Sequence, residues 1–215
     1  MKNIIFFLNL FTGFNMKKYF VYLMLISTFL FVFAGCKAGA NDPETVDQYA
    51  QKISDGWTAF SQGNFSSAKS LFTEARISDS TKTDAYLGIA WCFLKLDSLE
   101  NAVTHFNVAS KMGLTNADLN AGYAFALNAS KQYQMSNTQV AIALNLSPNW
   151  VFAYQTSLNK SDLQLLQAQN YYQLGDFTNS LTFVRLINVA FSSDVSTAAG
   201  RLALADEIER LKNTL

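Results

Sequence analysis

The sequence predicts an all-α protein, a solenoid of about four helix hairpins closed by a C-terminal capping helix. Three observations carry this. The chain repeats itself at an offset of 34 residues: Gly63-Asn64-Phe65 aligns with Asp97-Ser98-Leu99 and then with Lys131-Gln132-Tyr133. Small and large side chains keep the same register, Ala68 with Ala102, Phe72 with Phe106, and Ala75 with Ala109 and Ala143. The last segment spaces its apolar residues as one face of a helix. A fixed period of this size is the signature of stacked supersecondary units.

The elements follow in chain order. Residues 1–35 contain Lys2, Lys17 and Lys18, no acidic residue, and eight of the 18 Phe. From Met16 the chain reads Met-Lys-Lys, an uncharged run from Tyr19 to Phe33, then Ala34-Gly35-Cys36. A basic start, an apolar middle and a small-residue end form an export signal over residues 16–35. Residues 1–15 read as an upstream extension from a mis-assigned start, with Met16 as the better start. The ending Phe33-Ala34-Gly35-Cys36 resembles the lipobox of bacterial lipoproteins, with Phe33 where that family usually has Leu. The resemblance implies cleavage before Cys36 and a lipid on its sulfur. An uncleaved membrane anchor and a cleaved secreted chain are the alternatives. Residues 36–48, with Gly39, Asn41, Asp42 and Pro43, read as a tether.

The repeats then run over residues 49–82, 83–116 and 117–150, with a fourth over 161–194 after an insertion at 151–160. The insertion displaces Gly175-Asp176-Phe177 by 44 residues from its predecessor instead of 34. Each unit reads as two amphipathic helices whose first ends at a turn residue such as Gly63 or Gly175, where positive φ is needed. One unit cannot bury both faces, so the units must stack. In the insertion, Trp150, Phe152 and Tyr154 alternate with Val151, Ala153 and Gln155, a period of two that predicts extended backbone. Its aromatics are expected to fold over the first helices of repeats 3 and 4. The cap covers residues 195–215, with Val195, Ala198, Leu202, Ala205, Ile208, Leu211 and Leu215 as its apolar face. Asp206, Glu207, Glu209, Arg210 and Lys212 are expected on the wet face.

Small residues at repeat positions 8, 20 and 27, with aromatics at 17 and 24, resemble the tetratricopeptide repeat (TPR). Gly56, Gly63, Phe65, Ala68, Phe72 and Ala75 carry the pattern in repeat 1. Tyr86, Ala90, Phe93, Leu99, Ala102, Phe106 and Ala109 carry it in repeat 2. In repeat 3, Ser136 and Val140 replace the usual Ala and aromatic. The resemblance implies a right-handed superhelix whose concave groove is lined by positions 2, 5, 9, 12 and 13 of each first helix. Those positions nominate Ile53, Trp57, Phe60, Leu87, Trp91, Leu94, Phe125 and Tyr172 as a groove for an apolar peptide segment or an envelope protein. One TPR subclass grips peptide carboxylates with Lys at position 5 and Asn at position 9; Ile53, Leu87, Trp57 and Trp91 stand there instead. The groove is either open to a partner or filled by the tether, the cap or the insertion.

Composition limits the function classes. Sixteen Lys+Arg balance 16 Asp+Glu, so nothing drives binding to nucleic acid. Without the leader, 13 basic groups face 16 acidic ones, a net charge of −3. At 50% hydrophobic residues the chain has a core to bury, and two cysteines make no disulfide scaffold. With Cys36 lipidated, Cys92 reads as a small buried hydrophobe. His105 is the single histidine, so neither a His–Cys nucleophile pair nor a transition-metal site is expected, and no phosphate loop is present. No cofactor, metal or small-molecule substrate is expected. Asp84, Asp118 and Asp162, at position 2 of their repeats, complement helix dipoles or add an acidic edge to the groove. The reading is a non-enzymatic interaction module, lipid-anchored in the cell envelope and most simply facing the periplasm from the outer membrane. It would be a scaffold or accessory subunit of an assembly, secretion or pilus-type complex. The alternative is a small periplasmic ligand-binding protein or enzyme with a pocket between insertion and repeats.

Overall fold

A computed structural model of the chain describes residues 43–215. The signal at 16–35, the extension at 1–15 and Cys36 lie outside the described residues. Nine α-helices are present among these: α1 (Pro43–Ser61), α2 (Phe65–Ser78), α3 (Thr83–Lys95), α4 (Leu99–Lys111), α5 (Ala117–Ala129), α6 (Tyr133–Leu146), α7 (Lys160–Gln173), α8 (Phe177–Ile187) and α9 (Ala198–Lys212). No described helix is long and apolar enough to cross a membrane. Residues 43–48, expected in the tether, are the first turns of α1; a Pro is tolerated at a first helical position.

The 34-residue period is set by the turn inside each hairpin. Gly63 (φ 79°), Asp97 (φ 56°), Lys131 (φ 61°) and Gly175 (φ 77°) are the left-handed residues that end α1, α3, α5 and α7. At each, paired backbone bonds close the helix end, as where Asn64 N donates to Ala59 O at 2.9 Å and Gln132 N to Leu127 O at 2.8 Å. Consecutive helices pack throughout. First helices also touch first helices, α1 with α3, α3 with α5 and α5 with α7, whereas second helices touch only their chain neighbours. The first helices therefore form the inner layer. The cap helix α9 packs on both α7 and α8.

Packing follows the repeat. Ala68, Ala102, Ser136 and Ser180, all at position 20, are fully buried. The two serines satisfy their hydroxyls by donating to the carbonyls of Ala124 and Ala168, each at 2.8 Å. The core of the described residues falls into two main clusters, with a small third of Tyr49, Ala75 and Ala85 at the N-terminal end. The larger runs from Trp57 through Trp91 and Phe106 to Leu163 and Leu166. The smaller joins Leu165, Ala168 and Val184 to Leu204, Ile208 and Leu211 of α9.

The expected cap face is corrected. Leu202 is 63% exposed, while Leu204 is fully buried and Glu207 only 8% exposed. The buried stripe is Gly200, Leu204, Glu207, Ile208 and Leu211. Glu207 is accommodated because it accepts from Arg210 Nη2 at 2.6 Å and from Asn188 Nδ2 at 2.8 Å.

Candidate functional site

Residues 147–159 link α6 to α7 and lie in the groove. The alternation is observed: Trp150 and Phe152 are buried, Tyr154 is half-buried, and Val151 and Ala153 face out. The loop is closed by a bridge between Val151 and Asn159 and by Phe152 N donating to Leu158 O at 2.9 Å. Its destination differs from the expectation. Phe152 stacks on Trp91 of α3 (4.1 Å between centroids, 16° between planes), and Tyr154 stacks on Trp57 of α1 (4.0 Å, 5°). The aromatics thus sit on repeats 1 and 2, where Trp57 and Trp91 offer flat faces. Repeat 3 contributes Asp118, whose Oδ1 accepts from Trp150 Nε1 at 2.7 Å. Burial pushes the Asp118 carboxyl up, and the Trp150 bond opposes this.

The nominated groove residues consequently divide. Trp57, Phe60, Leu87 and Trp91 are buried, and the loop covers the aromatic strip. They are core here, because stacking against Phe152 and Tyr154 removes more apolar surface from water than an empty groove could. Three clefts among the described residues hold the remaining nominated side chains. Ile53 lines one of about 650 Å³ with Trp57, Lys82, Asp84 and Tyr154. Leu94 and Phe125 line a second of about 380 Å³ with Leu158, Leu165 and Leu215. Tyr172 lines a third of about 470 Å³ against α9, and its hydroxyl donates to Arg201 O at 3.3 Å.

The position-2 acids have separate tasks. Asp162 Oδ2 accepts from the Asn159 backbone N at 2.8 Å, completing a capping box on α7. Asp118 anchors the loop, and Asp84 lies exposed at the first cleft. Behind the second cleft is an amide chain. Asn128 Nδ2 donates to Asn170 Oδ1 at 2.7 Å, and Asn170 Nδ2 donates to Ser136 Oγ and Asn137 Oδ1 at 2.9 and 2.8 Å. It pins repeat 4 to repeat 3 across the insertion.

Cys92 is fully buried and its thiol is pushed up to about 12 by burial. His105 turns onto its own helix, Nδ1 lying 2.9 Å from Asn101 O. Among the described residues no group of three His, Cys, Asp or Glu could hold a metal. Sequence reasoning missed Lys95, Lys212, Leu158 and Leu215 in the second cleft. Lys95 occupies position 13 of repeat 2, an inner position; the other three come from the loop and the cap, where no repeat pattern could place them.

First-helix layering, four equivalent left-handed turns and solved structures of the same architecture agree. YrrB, described as a TPR protein with an unusual peptide-binding site, matches with a TM-score of 0.57 at 15% identity, over 75% of this chain and 85% of that one. The chain has the TPR solenoid fold. A TPR protein of Thermus thermophilus matches with a TM-score of 0.53 at 14% identity, over 77% and 82% of the two chains. MamA matches with a TM-score of 0.54 at 14% identity, over 73% and 89%. In sequence, the TPR repeat-containing protein YsoA of Bacillus subtilis (strain 168) is 28% identical over 140 residues. That stretch is 65% of this chain but spans only 37% of YsoA. No protein-family model matches the chain.

Proposed function

We propose that the chain is a non-catalytic protein-interaction module, held at the bacterial cell envelope by a lipid on Cys36. It serves as a scaffold or accessory subunit of an assembly, secretion or pilus-type complex. The observation that carries the interaction reading is the apolar cleft on the inner layer, where Leu94 and Phe125 stay accessible beside the loop. The lipid reading rests on Phe33-Ala34-Gly35-Cys36 behind a basic, then apolar, leader.

The test places a photo-crosslinking residue at Phe125 in the native protein in cells. A discrete crosslinked envelope protein supports the reading. A crosslinking pattern equal to that of a convex-face control at Lys111 refutes it. Incorporation of labelled palmitate that is lost in Cys36→Ser supports anchoring, and equal labelling of both proteins overturns it.

A second reading, a small-ligand pocket between insertion and repeats, is favoured by Leu158 of the insertion lining this same cleft. Binding of a small apolar acid such as laurate, without any protein crosslink at Phe125, would select it.

A further inference from the structure

The second cleft has an uneven charge. Its walls are apolar, yet Lys95 and Lys212 both line it and Asp162 is its single acidic lining residue. Asp162 is already engaged with the Asn159 backbone, and burial pushes its carboxyl up. Lys212 shares Glu209 at 3.3 Å in an exposed pair, which stabilises little. Lys95 is half-buried and belongs to none of the ion pairs among the described residues. Its ammonium lies 5.8 Å from the Phe65 ring centroid, near the outer limit of a useful cation–π contact. Burial lowers its pKa, so an arriving carboxylate would restore what desolvation removes.

The size is informative too. A volume of about 380 Å³ lies at the low end of the ~300–1,000 Å³ range of ligand sites. It accepts a side-chain anchor, not a folded domain. The loop fills the groove beyond Trp91, leaving no continuous trough for a long amphipathic helix.

We propose that this cleft takes a short extended segment of a partner protein in which a bulky apolar side chain stands beside an acidic one. The apolar group enters between Leu94, Phe125 and Leu165, and the carboxylate meets Lys95. This rests on the interaction reading above and specifies the partner's chemistry.

The test is fluorescence anisotropy on the full-length purified protein with two labelled peptides, Gly-Glu-Phe-Glu-Gly and Gly-Lys-Phe-Lys-Gly. The Glu peptide is expected to bind, with affinity falling about fivefold or more in Lys95→Gln and with rising salt. Lys52→Gln, on α1 outside this cleft, should leave the affinity unchanged, and an unaltered melting curve keeps Lys95→Gln interpretable. Equal binding of the two peptides, or no effect of Lys95→Gln and salt, overturns the proposal. So does binding of laurate with neither peptide binding. If neither peptide binds but Phe125 crosslinks to a protein in cells, the charge proposal falls and the interaction reading stands. If both fail, both fall.

Discussion

The ring of Phe72 lies against the backbone of Gly88: a Cβ added there would fall 2.5 Å from Phe72 Cδ1. Gly56 presses on the same ring from its own repeat, with a Cβ at 2.6 Å from Cε1. The arrangement recurs one repeat on, where a Cβ on Gly122 would meet Phe106 and Trp91 at 2.5 and 2.7 Å. The next equivalent pair is Val140 and Leu166, both in the same core. There Val140 stands at the position of the Phe and Leu166 at the position of the Gly, a smaller residue on one helix matched by a larger one on the next.

Gly88→Ala should therefore destabilise, although Ala is the better helix former. A propensity gain of about 1 kcal/mol opposes overpacking of about 1–3 kcal/mol, and Phe72 has no room to retreat. Urea unfolding midpoints should fall for Gly88→Ala and Gly122→Ala. In Gly88→Leu the larger loss should be partly recovered by adding Phe72→Val, which copies the Val140–Leu166 pair.

The hairpin turns offer the opposite change. Lys131 holds φ 61° without being glycine, a conformation that costs L-residues about 1–2 kcal/mol. Lys131→Gly should raise stability by about 0.5–1 kcal/mol after the added unfolded-state entropy. Asp97→Gly should gain less, since Asp tolerates this region better. Gly63→Ala should lose about 1 kcal/mol, read from thermal melts.

Phe152 supports the loop from the centre of the aromatic cluster. Phe152→Ala should cost about 3–5 kcal/mol and expose Trp57 and Trp91 to dye binding. Trp150→Phe keeps the bulk but leaves the Asp118 carboxylate without its donor, a loss of about 1–3 kcal/mol.

Glu207 gives the stability curve an acid limb. The Arg210 guanidinium holds its carboxyl below the ordinary value, helped by Asn188, while burial opposes them. A depressed folded pKa contributes stability that is complete above the unfolded value, about 4.3, and is lost as pH falls through the folded one. The melting temperature of wild type over Glu207→Gln should lead at pH 7 and lose that lead progressively below about pH 4.3.

Cys92 should resist chemistry. With its thiol pushed up to about 12, thiolate is scarce at pH 8 and the sulfur is enclosed. Iodoacetamide should label it in urea and spare it in buffer.

The repeat register, the left-handed turns at Gly63 and Gly175 and the alternating burial of Trp150, Phe152 and Tyr154 were legible because each rests on local pattern. The extended backbone expected there is not found beyond Phe152, since residues 153–157 form turns closed by Gln155 N donating to Phe152 O and Leu158 N to Gln155 O. The loop's destination was not legible. Alternation says which side chains Trp150, Phe152 and Tyr154 bury, but the faces of Trp57 and Trp91 that receive them lie far upstream in the chain. Of the two alternatives for the groove, open or filled, the insertion fills it at Trp57, Phe60, Leu87 and Trp91. The choice was not legible for the same reason, since repeat position gives direction and not what arrives there. In the cap, Leu202 and Leu204 both fit loose helical spacing, and only the angle at which α9 meets α7 and α8 decides between them.

The three tryptophans of the chain, Trp57, Trp91 and Trp150, all surround Phe152. The separate core beneath α9 contains none. Intrinsic emission is therefore a local gauge of the first three repeats and their loop, blind to the C-terminal end, whereas far-ultraviolet circular dichroism counts every helix. Superimposable curves from the two probes would mean that the amide chain through Asn170 couples the two ends into one cooperative unit. A lag between them would measure the strength of that joint directly.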